Sequence, residues 1–554
     1  MFVPVPAPGE GEIIREFDKN SNVIKTTLVE VHPSARIAPE TFVSYNVFDA
    51  LNRLVRTTNN LGQTRRLYYD SRNLVIKTSD AQGPETPDPL GIYPSGNINS
   101  DGNITHIIHD GLGRSLRSLQ ELTMSGQGGN PLDQTNPSNP DGKISEETSY
   151  DANSRVSAVS DDKGNATAYS YDNHDRLILT TFADGTTKSI EYNPDSQPVK
   201  TIDNSGTIVH NSFDALGRPI RRDITRAQGV KGTTLQTFEY DGLSRLTKAS
   251  DNNDPARPAD DSSVERRYDS LSRLLEETQN GKVVSYNWTQ TGDPVDLTYP
   301  NNRKIAYTLD KLNRLRTIKN SGASATLAAY DYLGSRMIER VHGNGTRLTT
   351  LDDAGTVNEG YDGLGRLVKM RHLKNTTLIA GFAYGYNREN VKTYSQDLQY
   401  PQLSELYSYD SVYRLVDFQR GALNTSKDAI SGTVANSQSW QLDGVGNWAT
   451  TVVDSQTKTQ AVNVMNEYDS FAGVAQVHDD NGNLSDDGDR LFTYDFANRL
   501  LEVRQKGENG QANTLVGLYS YDAFNRRISK QFTRQREGEY QTDANTLALY
   551  HFNK

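Results

Sequence analysis

One short motif recurs along almost the whole chain: an aromatic residue followed directly by Asp, with Arg four residues after the Asp. Full copies have their aromatic–Asp pairs at Phe48-Asp49, Tyr150-Asp151, Tyr171-Asp172, Phe213-Asp214, Tyr240-Asp241, Tyr268-Asp269, Tyr361-Asp362, Tyr409-Asp410, Tyr494-Asp495 and Tyr521-Asp522. Degenerate copies stand at Phe17-Asp18, Tyr69-Asp70, His109-Asp110, Tyr192-Asn193, Trp288-Thr289, Leu309-Asp310, Tyr330-Asp331, Tyr386-Asn387, Leu442-Asp443 and His478-Asp479. Six of the intervals between successive aromatic positions are 21 residues long. A fixed short period indicates a repeat architecture rather than unrelated domains.

The residue pattern of each repeat is typical of two short β-strands. Tyr169 and Tyr171 lie two residues apart, as do Leu177 and Leu179, and this period of two is the strand pattern. Between them Asp172 can bond main-chain amides two residues on and form a turn. Where Gly stands four places after the aromatic (Gly113, Gly217, Gly365), it can adopt a positive φ. No segment keeps a helical period, so the sequence predicts an all-β chain of antiparallel hairpins with very little helix.

Composition excludes several classes of protein. The chain of 554 residues carries a net charge of −11, and its arginines are dispersed, which disfavours nucleic-acid binding. It has no Cys, so disulfides and thiolate metal sites are excluded. No apolar run is long enough to span a bilayer, and the first residues do not have the pattern of a secretory signal. Hydrophobic residues make up only 34%, yet there are 29 Tyr and 15 Phe, which indicates a folded chain with a thin core.

The number of repeats constrains the architecture. About 20 repeats of two strands, at ~4.8 Å per strand, give a ribbon on the order of 190 Å long. Open twisted sheets rarely exceed ~10 strands without curling or closing. No helical layer is available to cover a face, so we expect the ribbon to curve into a wall around a cavity or to stack in a fibre.

The domain prediction is an N-terminal segment, residues 1–40, with one degenerate repeat, followed by a continuous repeat shell over residues 41–554. Loop insertions rich in Gly, Pro, Asn, Asp or Ser are expected near residues 80–102, 124–142, 249–262 and 421–438. They are interpreted as loops that project from the wall, with partner recognition as the alternative.

No catalytic, cofactor-binding or metal-binding residues are predicted. His106 and His109 lie three apart, which in a strand places them on opposite faces, and His109 and His478 occupy the aromatic position of a repeat. The acidic segment Asp479–Asp489 resembles a calcium loop but has Leu484 and Arg490 where such a loop needs Gly and Glu. Hairpin turns are the favoured interpretation, with weak calcium binding as the alternative. The repeat arginines are expected to bridge to a neighbouring turn's Asp or to stack on its Tyr, with anion binding as the alternative.

These motifs resemble the YD repeats of the Rhs family. The resemblance rests on YDGLGRL at Tyr361–Leu367, YDSLSRLLEE at Tyr268–Glu277, FDALGRPI at Phe213–Ile220 and the stretch His478–Val503, and it covers roughly residues 17–530. It implies a β-ribbon that spirals into a hollow shell. In Rhs effectors and the C components of insecticidal toxin complexes such a shell encloses a toxic domain, and in teneurins it is an extracellular recognition scaffold.

The resemblance is incomplete after Tyr521. The family's core segment and its Asp-Pro-x-Gly cleavage site do not follow, and Asp88–Gly91 is given no cleavage role. Self-cleavage and toxicity are therefore not carried over to these residues.

The functional expectation is a non-catalytic, secreted or surface-exposed scaffold whose wall encloses polypeptide cargo. The alternatives are a carbohydrate- or cell-surface-binding module, a tube or filament subunit that self-associates through an open sheet edge, and a carbohydrate hydrolase. No cofactor, nucleic acid or membrane span is expected.

Overall fold

A computed structural model describes residues 11–34, 36–82, 102–123, 131–322, 325–507 and 513–532. Over these ranges the regular secondary structure is almost all β-strand, with two single-turn 3₁₀ segments at Pro258–Asp260 and Pro401–Leu403. None of the described residues belongs to a helix long and apolar enough to cross a membrane.

The strands follow one another at short intervals. The first twelve are β1 (Glu12–Phe17), β2 (Val23–Glu30), β3 (Glu40–Phe48), β4 (Leu54–Thr58), β5 (Thr64–Tyr69), β6 (Val75–Gln82), β7 (Asn103–His109), β8 (Ser115–Glu121), β9 (Lys143–Tyr150), β10 (Val156–Ser160), β11 (Ala166–Tyr171) and β12 (Leu177–Thr181). The next eight are β13 (Thr187–Tyr192), β14 (Pro198–Ile202), β15 (Ile208–Phe213), β16 (Pro219–Thr225), β17 (Leu235–Tyr240), β18 (Leu246–Asp251), β19 (Ser262–Tyr268) and β20 (Leu274–Gln279).

The later strands continue the same pattern. They are β21 (Lys282–Trp288), β22 (Pro294–Thr298), β23 (Lys304–Leu309), β24 (Leu315–Asn320), β25 (Ala325–Leu333), β26 (Arg336–His342), β27 (Thr346–Thr349), β28 (Lys369–Lys374), β29 (Thr377–Tyr386), β30 (Lys392–Asp397), β31 (Glu405–Tyr409), β32 (Leu415–Arg420), β33 (Asn436–Leu442), β34 (Trp448–Val453), β35 (Gln456–Val462), β36 (Tyr468–Phe471) and β37 (Val474–Ala475). The last six are β38 (Val477–His478), β39 (Leu484–Asp486), β40 (Arg490–Tyr494), β41 (Leu500–Gln505), β42 (Thr514–Tyr521) and β43 (Arg527–Phe532).

Consecutive strands pair in antiparallel fashion. In the hairpin of β17 and β18, Phe238 lies opposite Ala249, and the register shifts between Glu239 and Tyr240, so that Tyr240 lies opposite Leu246. The same shift beside the aromatic residue recurs in hairpin after hairpin, for example at Tyr171 and at Phe213. Strands β1–β37 are assigned to a 37-stranded sheet and β38–β43 to a six-stranded one. The predicted all-β, antiparallel hairpin architecture is confirmed.

The chain divides into two compact units. Unit 1 comprises Met1–Gly185 and Val283–Gly473, and unit 2 comprises Thr186–Lys282 and Val474–Lys554. Each unit therefore combines an earlier and a later segment of the sequence.

The expected loop insertions are partly described. Residues 83–101, which include Asp88–Gly91, and residues 124–130 lie outside the described residues. Strand pairing extends into the described ends of the expected insertions. Asp80 pairs with Asn103, and Ser250 pairs with Ser263, despite their polar side chains. The non-strand stretches are therefore shorter than the composition indicates: residues 252–261 separate β18 from β19, and residues 421–435 separate β32 from β33.

The core is thin and discontinuous. Unit 1 has a buried apolar cluster of Ile37, Leu333, Ile338 and Leu351. Unit 2 has one of Phe238, Ala249 and Ala523, with Tyr240, Leu246 and Phe524 packed against it. Both clusters join residues of the two segments of their unit, so apolar burial is concentrated where the segments meet.

Candidate functional site: turn rows, inter-segment contacts and a polar groove

The turn after each aromatic residue is closed by its Asp. In the turn that begins at Asp241, the amides of Leu243 and Arg245 donate to Asp241 Oδ1 at 2.9 and 3.0 Å. Arg245 Nε donates to Asp241 Oδ2 at 2.6 Å. In the equivalent turn at Asp172, the hydrogen bond from the Arg176 side chain lowers the pKa of that carboxyl to about 2. The motif's Asp and Arg are thus the two ends of one ionised clamp.

The fourth residue of the turn has a positive φ. Gly113, Gly217 and Gly365 have φ values of 84°, 78° and 73°, as the sequence predicts. Asn, Ser and Asp take the same position in most other repeats, in keeping with their tolerance of left-handed backbone. Tyr413 is the exception, with a φ of 70°.

Each clamp also contacts the next hairpin. Arg245 Nη1 donates to the main-chain carbonyl of Asp269 at 2.6 Å, and its guanidinium lies 5.0 Å from the ring centre of Tyr268. The Tyr268 hydroxyl donates back to Leu246 O at 3.0 Å. Stacking on the neighbouring tyrosine is therefore confirmed. The bridge to the neighbour's Asp uses its carbonyl oxygen, because the carboxylate is already held by its own Arg.

The same stacking recurs along the ribbon, with distances from guanidinium to ring centre of 4.5 to 4.7 Å. Examples are Arg53 on Tyr69, Arg114 on Tyr150, Arg155 on Tyr171, Arg218 on Tyr240, Arg314 on Tyr332 and Arg366 on Tyr386.

The two histidines of β7 have separate partners. His106 Nε2 lies 2.8 Å from Glu121 Oε1, and His109 Nε2 lies 2.9 Å from Val75 O. The bond from His109 reaches a main-chain carbonyl of the preceding hairpin, as the repeat tyrosines do. No group of three or more His, Cys, Asp or Glu that could hold a metal ion occurs among the residues described.

The acidic segment Asp479–Asp489 forms turns. Asp479 Oδ1 accepts hydrogen bonds from the amides of Asn481 and Asn483 at 3.1 and 2.9 Å. Gly482 and Gly488 have positive φ values of 81° and 91°. The interpretation as hairpin turns is confirmed.

In unit 1, turns of the later segment pack on the earlier segment. Asn60 Nδ2 donates to Gly363 O at 2.8 Å, across 303 residues of sequence. Ser411 Oγ accepts from Thr123 N and donates to Glu121 O, both at 2.9 Å. Further contacts of the same kind join Asn136 to Leu442, Asp161 to Asn466 and Lys163 to Asp443.

In unit 2 the segments are joined by buried charges. Arg499 Nε donates to Asp495 Oδ2 at 2.6 Å within its own turn, and Arg499 Nη2 donates to Asp251 Oδ2 at 3.2 Å across 248 residues. The side chains of both acids are fully buried. Burial raises the pKa of Asp495. Thr233 and Gln236 donate to the two oxygens of Asp251, which leaves both of them bonded.

A polar groove lies beside the contact between the segments of unit 1. Its volume is about 410 Å³, and its lining includes Tyr45, Arg65, Asp80, Glu389 and Tyr413. Asp80 lies in β6, at the beginning of one expected loop insertion, whereas Glu389 and Tyr413 come from two turns of the later segment.

The groove's acidic groups lie among polar side chains. Asn103 Nδ2 donates to Glu389 Oε1 at 2.6 Å, and burial together with the nearby Asp80 carboxylate raises the pKa of Tyr413. Asp80 Oδ1 is buried without a hydrogen-bond partner among the described residues. Burial raises the pKa of Glu389 to about 7 and raises the pKa of Asp80.

The groove is suited to binding a polar ligand through carboxylate, amide and tyrosine groups. Sequence reasoning did not single it out, because its parts come from different repeats. The one local signal is Tyr413, a bulky residue at the position where most other repeats have Gly, Asn, Ser or Asp.

The RHS Repeat family profile matches residues 48–85 and 150–187. Over 519 residues, 88% of its length, the chain is 23% identical to "Double-stranded DNA deaminase toxin A" of Burkholderia cenocepacia. It is 35% identical over 95 residues, 16% of its length, to "tRNA3(Ser)-specific nuclease WapA" of Bacillus spizizenii. The chain spans 33% of the length of the first relative and 4% of the second.

Solved structures with the same fold are Tc toxin components. The Photorhabdus luminescens Tc holotoxin pore has a TM-score of 0.69 at 12% identity, and the match covers 95% of this chain and 29% of that one. The crystal structure of TcdB2-TccC3 has a TM-score of 0.60 at 13% identity, covering 95% and 30%.

Proposed function

We propose that this chain, which carries RHS repeats at residues 48–85 and 150–187 and has the fold of Tc toxin components, forms part of the wall of a hollow shell that encloses polypeptide cargo. The observation that carries the proposal is the extent of the fold match, 95% of the chain against the holotoxin pore. The wall itself is given a structural rather than a catalytic role.

The construction of the sheet supports a wall. Buried apolar residues are concentrated where segments meet, and most strand residues on both faces are only partly buried. A solid interior needs a contiguous core, whereas here neighbouring hairpins are held by Asp–Arg clamps and Arg–Tyr stacking along the turns. Such links act along the ribbon and do not require that its concave side be filled.

The relatives carry the names of a deaminase toxin and a nuclease. We assign such chemistry to parts of those proteins outside the segments that match this chain. The proposed site of action is extracellular, in line with the toxin names of the relatives.

Small-angle scattering of the purified chain tests the wall. We expect a pair-distance distribution broader than that of a solid particle of 61.6 kDa. A profile fitted by a filled globule of this mass would overturn the proposal. Cargo enclosure is tested separately, by placing a protease-cleavable peptide after Lys554 and, as a control, in the exposed turn at Gly281. Slower cleavage at the first position is expected, and equal rates would contradict enclosure.

The polar groove of unit 1 favours a second candidate, recognition of a hydroxyl-rich ligand such as a saccharide. Its supporting observation is the buried Asp80 Oδ1, an acceptor that a ligand hydroxyl could satisfy. A glycan array probed with the chain and with the Asp80→Asn variant is the test. Binding that the variant loses would support the candidate, and a blank array would remove it.

A further inference from the structure

Three consecutive turns of unit 2 expose leucine side chains. Leu216, Leu243 and Leu271 each stand two residues after the turn Asp, and they are 70%, 65% and 66% exposed. The turns are direct neighbours, because Arg218 Nη1 donates to Asp241 O and Arg245 Nη1 donates to Asp269 O. The three leucines, named here the leucine row, therefore lie along one edge of the ribbon.

The same turn positions are contact positions in the later segments. In unit 2, Ala523 is 8% exposed and belongs to the buried cluster with Phe238 and Ala249, while Phe524 packs against that cluster. In unit 1, a Cβ on Gly363 would come within 2.8 Å of Leu61 Cδ2 and within 2.7 Å of Asn60 Nδ2. This edge of the ribbon thus already serves as a docking edge inside each unit.

The covered turns share a sequence pattern, which is a small residue followed by an apolar one. It is seen at Gly363-Leu364, Ser411-Val412, Gly444-Val445 and Ala523-Phe524. The leucine row has the same pattern, at Ala215-Leu216, Gly242-Leu243 and Ser270-Leu271. Elsewhere the pattern is exposed in single turns, at Ala50-Leu51 and Gly111-Leu112, which the polar turn Ser71-Arg72 separates. Other exposed turns have pairs such as Asn173-His174 and Gln290-Thr291. The leucine row is thus an uncovered copy of the covered pattern.

The structure also shows what such an edge contacts. The covered turns lie against the return side of other hairpins, as Gly363 lies against the turn between β4 and β5, and Gly444 against Asp162 between β10 and β11. In the later segment of unit 1 the return side exposes Tyr400, Leu403 and Val434, at 43%, 50% and 41%. Their two loops are neighbours, because Gly421 N donates to Ser404 O at 2.9 Å.

We propose that the leucine row docks onto the return side around Tyr400, Leu403 and Val434 of a second copy of this chain. The contact repeats between copies the turn-to-return packing found within each unit, and it is independent of the cargo role. The two faces differ, so the interface is heterologous, and in a dimer one copy retains an unused return side while the other retains an unused leucine row. The net charge of −11 opposes association, so added salt should strengthen it.

Sedimentation velocity of the full chain, from about 5 to 100 µM and at two salt concentrations, tests the proposal. We expect mass to rise with concentration, and to rise further at about 0.5 M salt. The double variant Leu216→Asp/Leu243→Asp should associate at least about tenfold more weakly. The matched control is Asn153→Asp/His174→Asp, which adds the same charge at the same position of polar turns and should behave as the unmodified chain does.

A mixing experiment fixes the pairing of the two faces. Leu216→Asp/Leu243→Asp and Leu403→Asp/Val434→Asp should each be monomeric alone, yet form a one-to-one dimer when mixed, because each retains the face that the other lacks. All four positions are exposed, so circular dichroism should be unchanged. A monomeric unmodified chain at 100 µM, a leucine-row variant that associates undiminished, or two variants that stay monomeric when mixed would each overturn the proposal.

Discussion

At the scale of single residues, the turn Asp holds each turn of the repeat in its conformation. In the turn at Asp241, the carboxylate accepts hydrogen bonds from two main-chain amides and from one guanidinium, so its charge is balanced within its own turn. The residue three places later must adopt a positive φ, which accounts for Gly, Asn, Ser and Asp at that position. The position is therefore constrained by backbone geometry rather than by packing.

Replacing Gly365 with Val tests this constraint. Gly365 has a φ of 73°, where a β-branched residue is strained, and we expect its hairpin to lose about 1–2 kcal/mol of stability. The matched control is Gly242→Val, in an equivalent turn, where φ is not positive and the added Cβ has open space. Hydrogen exchange in each hairpin is the measurement. Equal exchange in the two variants would contradict the backbone argument.

We expect Glu389 to make the stability of unit 1 depend on pH. Its pKa is raised by burial to about 7 from an ordinary value of 4.5, while Asn103 and Asn387 donate to it and Asp80, Asp410 and Tyr413 face it. A raised acid pKa means that the folded state binds the proton more tightly than the unfolded state. Its contribution to stability is therefore fully present below about pH 4.5 and lost as pH rises through 7.

The expected outcome is that unit 1 unfolds more readily at pH 8 than at pH 5.5 because of this carboxyl. Glu389→Gln should reduce that difference, since the amide does not titrate. Thermal unfolding of the two proteins at both pH values, followed by tryptophan fluorescence, measures it, because Trp288, Trp440 and Trp448 all lie in unit 1. The same pH difference in both proteins would exclude Glu389 as its source.

At the scale of the element, different pairs of side chains close the turn of a hairpin from its first and fifth positions. Most repeats use Asp with Arg, but Asn193 bonds Gln197 at 2.6 Å and Asp161 bonds Asn165 at 2.9 Å across the same turn. What these two pairs lack is a guanidinium that can also reach the next hairpin. Closing a turn and linking two turns are thus separable tasks of the same side chain.

The double variant Asp241→Asn/Arg245→Gln tests that separation. We expect its turn to remain closed, as at Asn193, while the link to Asp269 O and Tyr268 is lost. Arg245→Gln alone should destabilise the hairpin more than the double variant does, because it leaves the Asp241 carboxylate without its charged partner. Hydrogen exchange in β17–β18 and in β19 reports the two tasks. Full protection of β19 in the double variant would show that the link is dispensable.

At the scale of the whole molecule, stability depends on contacts between residues far apart in sequence. Asn60 reaches Gly363 across 303 residues, Ser411 reaches Thr123 across 288, and Arg499 reaches Asp251 across 248. Contacts between residues so far apart in sequence form slowly during folding, even where the individual hairpins form quickly. We therefore expect the repeats to become structured before the segments of each unit join.

Arg499→Met tests the joint in unit 2. It leaves the carboxylates of Asp251 and Asp495 buried without their cation, and we expect a loss of about 3–5 kcal/mol. Arg221→Met is the control, because Arg221 and Asp223 form a pair that is about half exposed, where solvent screens the attraction and its loss should change stability little. Chemical denaturation followed by hydrogen exchange of β18 and β41 provides the readout. A loss no larger than that of the control would show that the buried triad does not hold the segments together.

The sequence by itself determined the local structure: the hairpins, the turn at each aromatic–Asp pair, the positive φ at Gly113, Gly217 and Gly365, and the stacking of arginine on the next tyrosine. These features depend on contacts within one or two repeats, which recur with the motif. Only the tertiary structure decided which turns meet. The pairing of Ser411 with Thr123, the groove that brings Asp80 to Glu389 and Tyr413, and the burial of Arg499 follow from how far the ribbon travels before its segments meet. Where the segments meet depends on the small twists of many strands added together, so it cannot be read from any single motif.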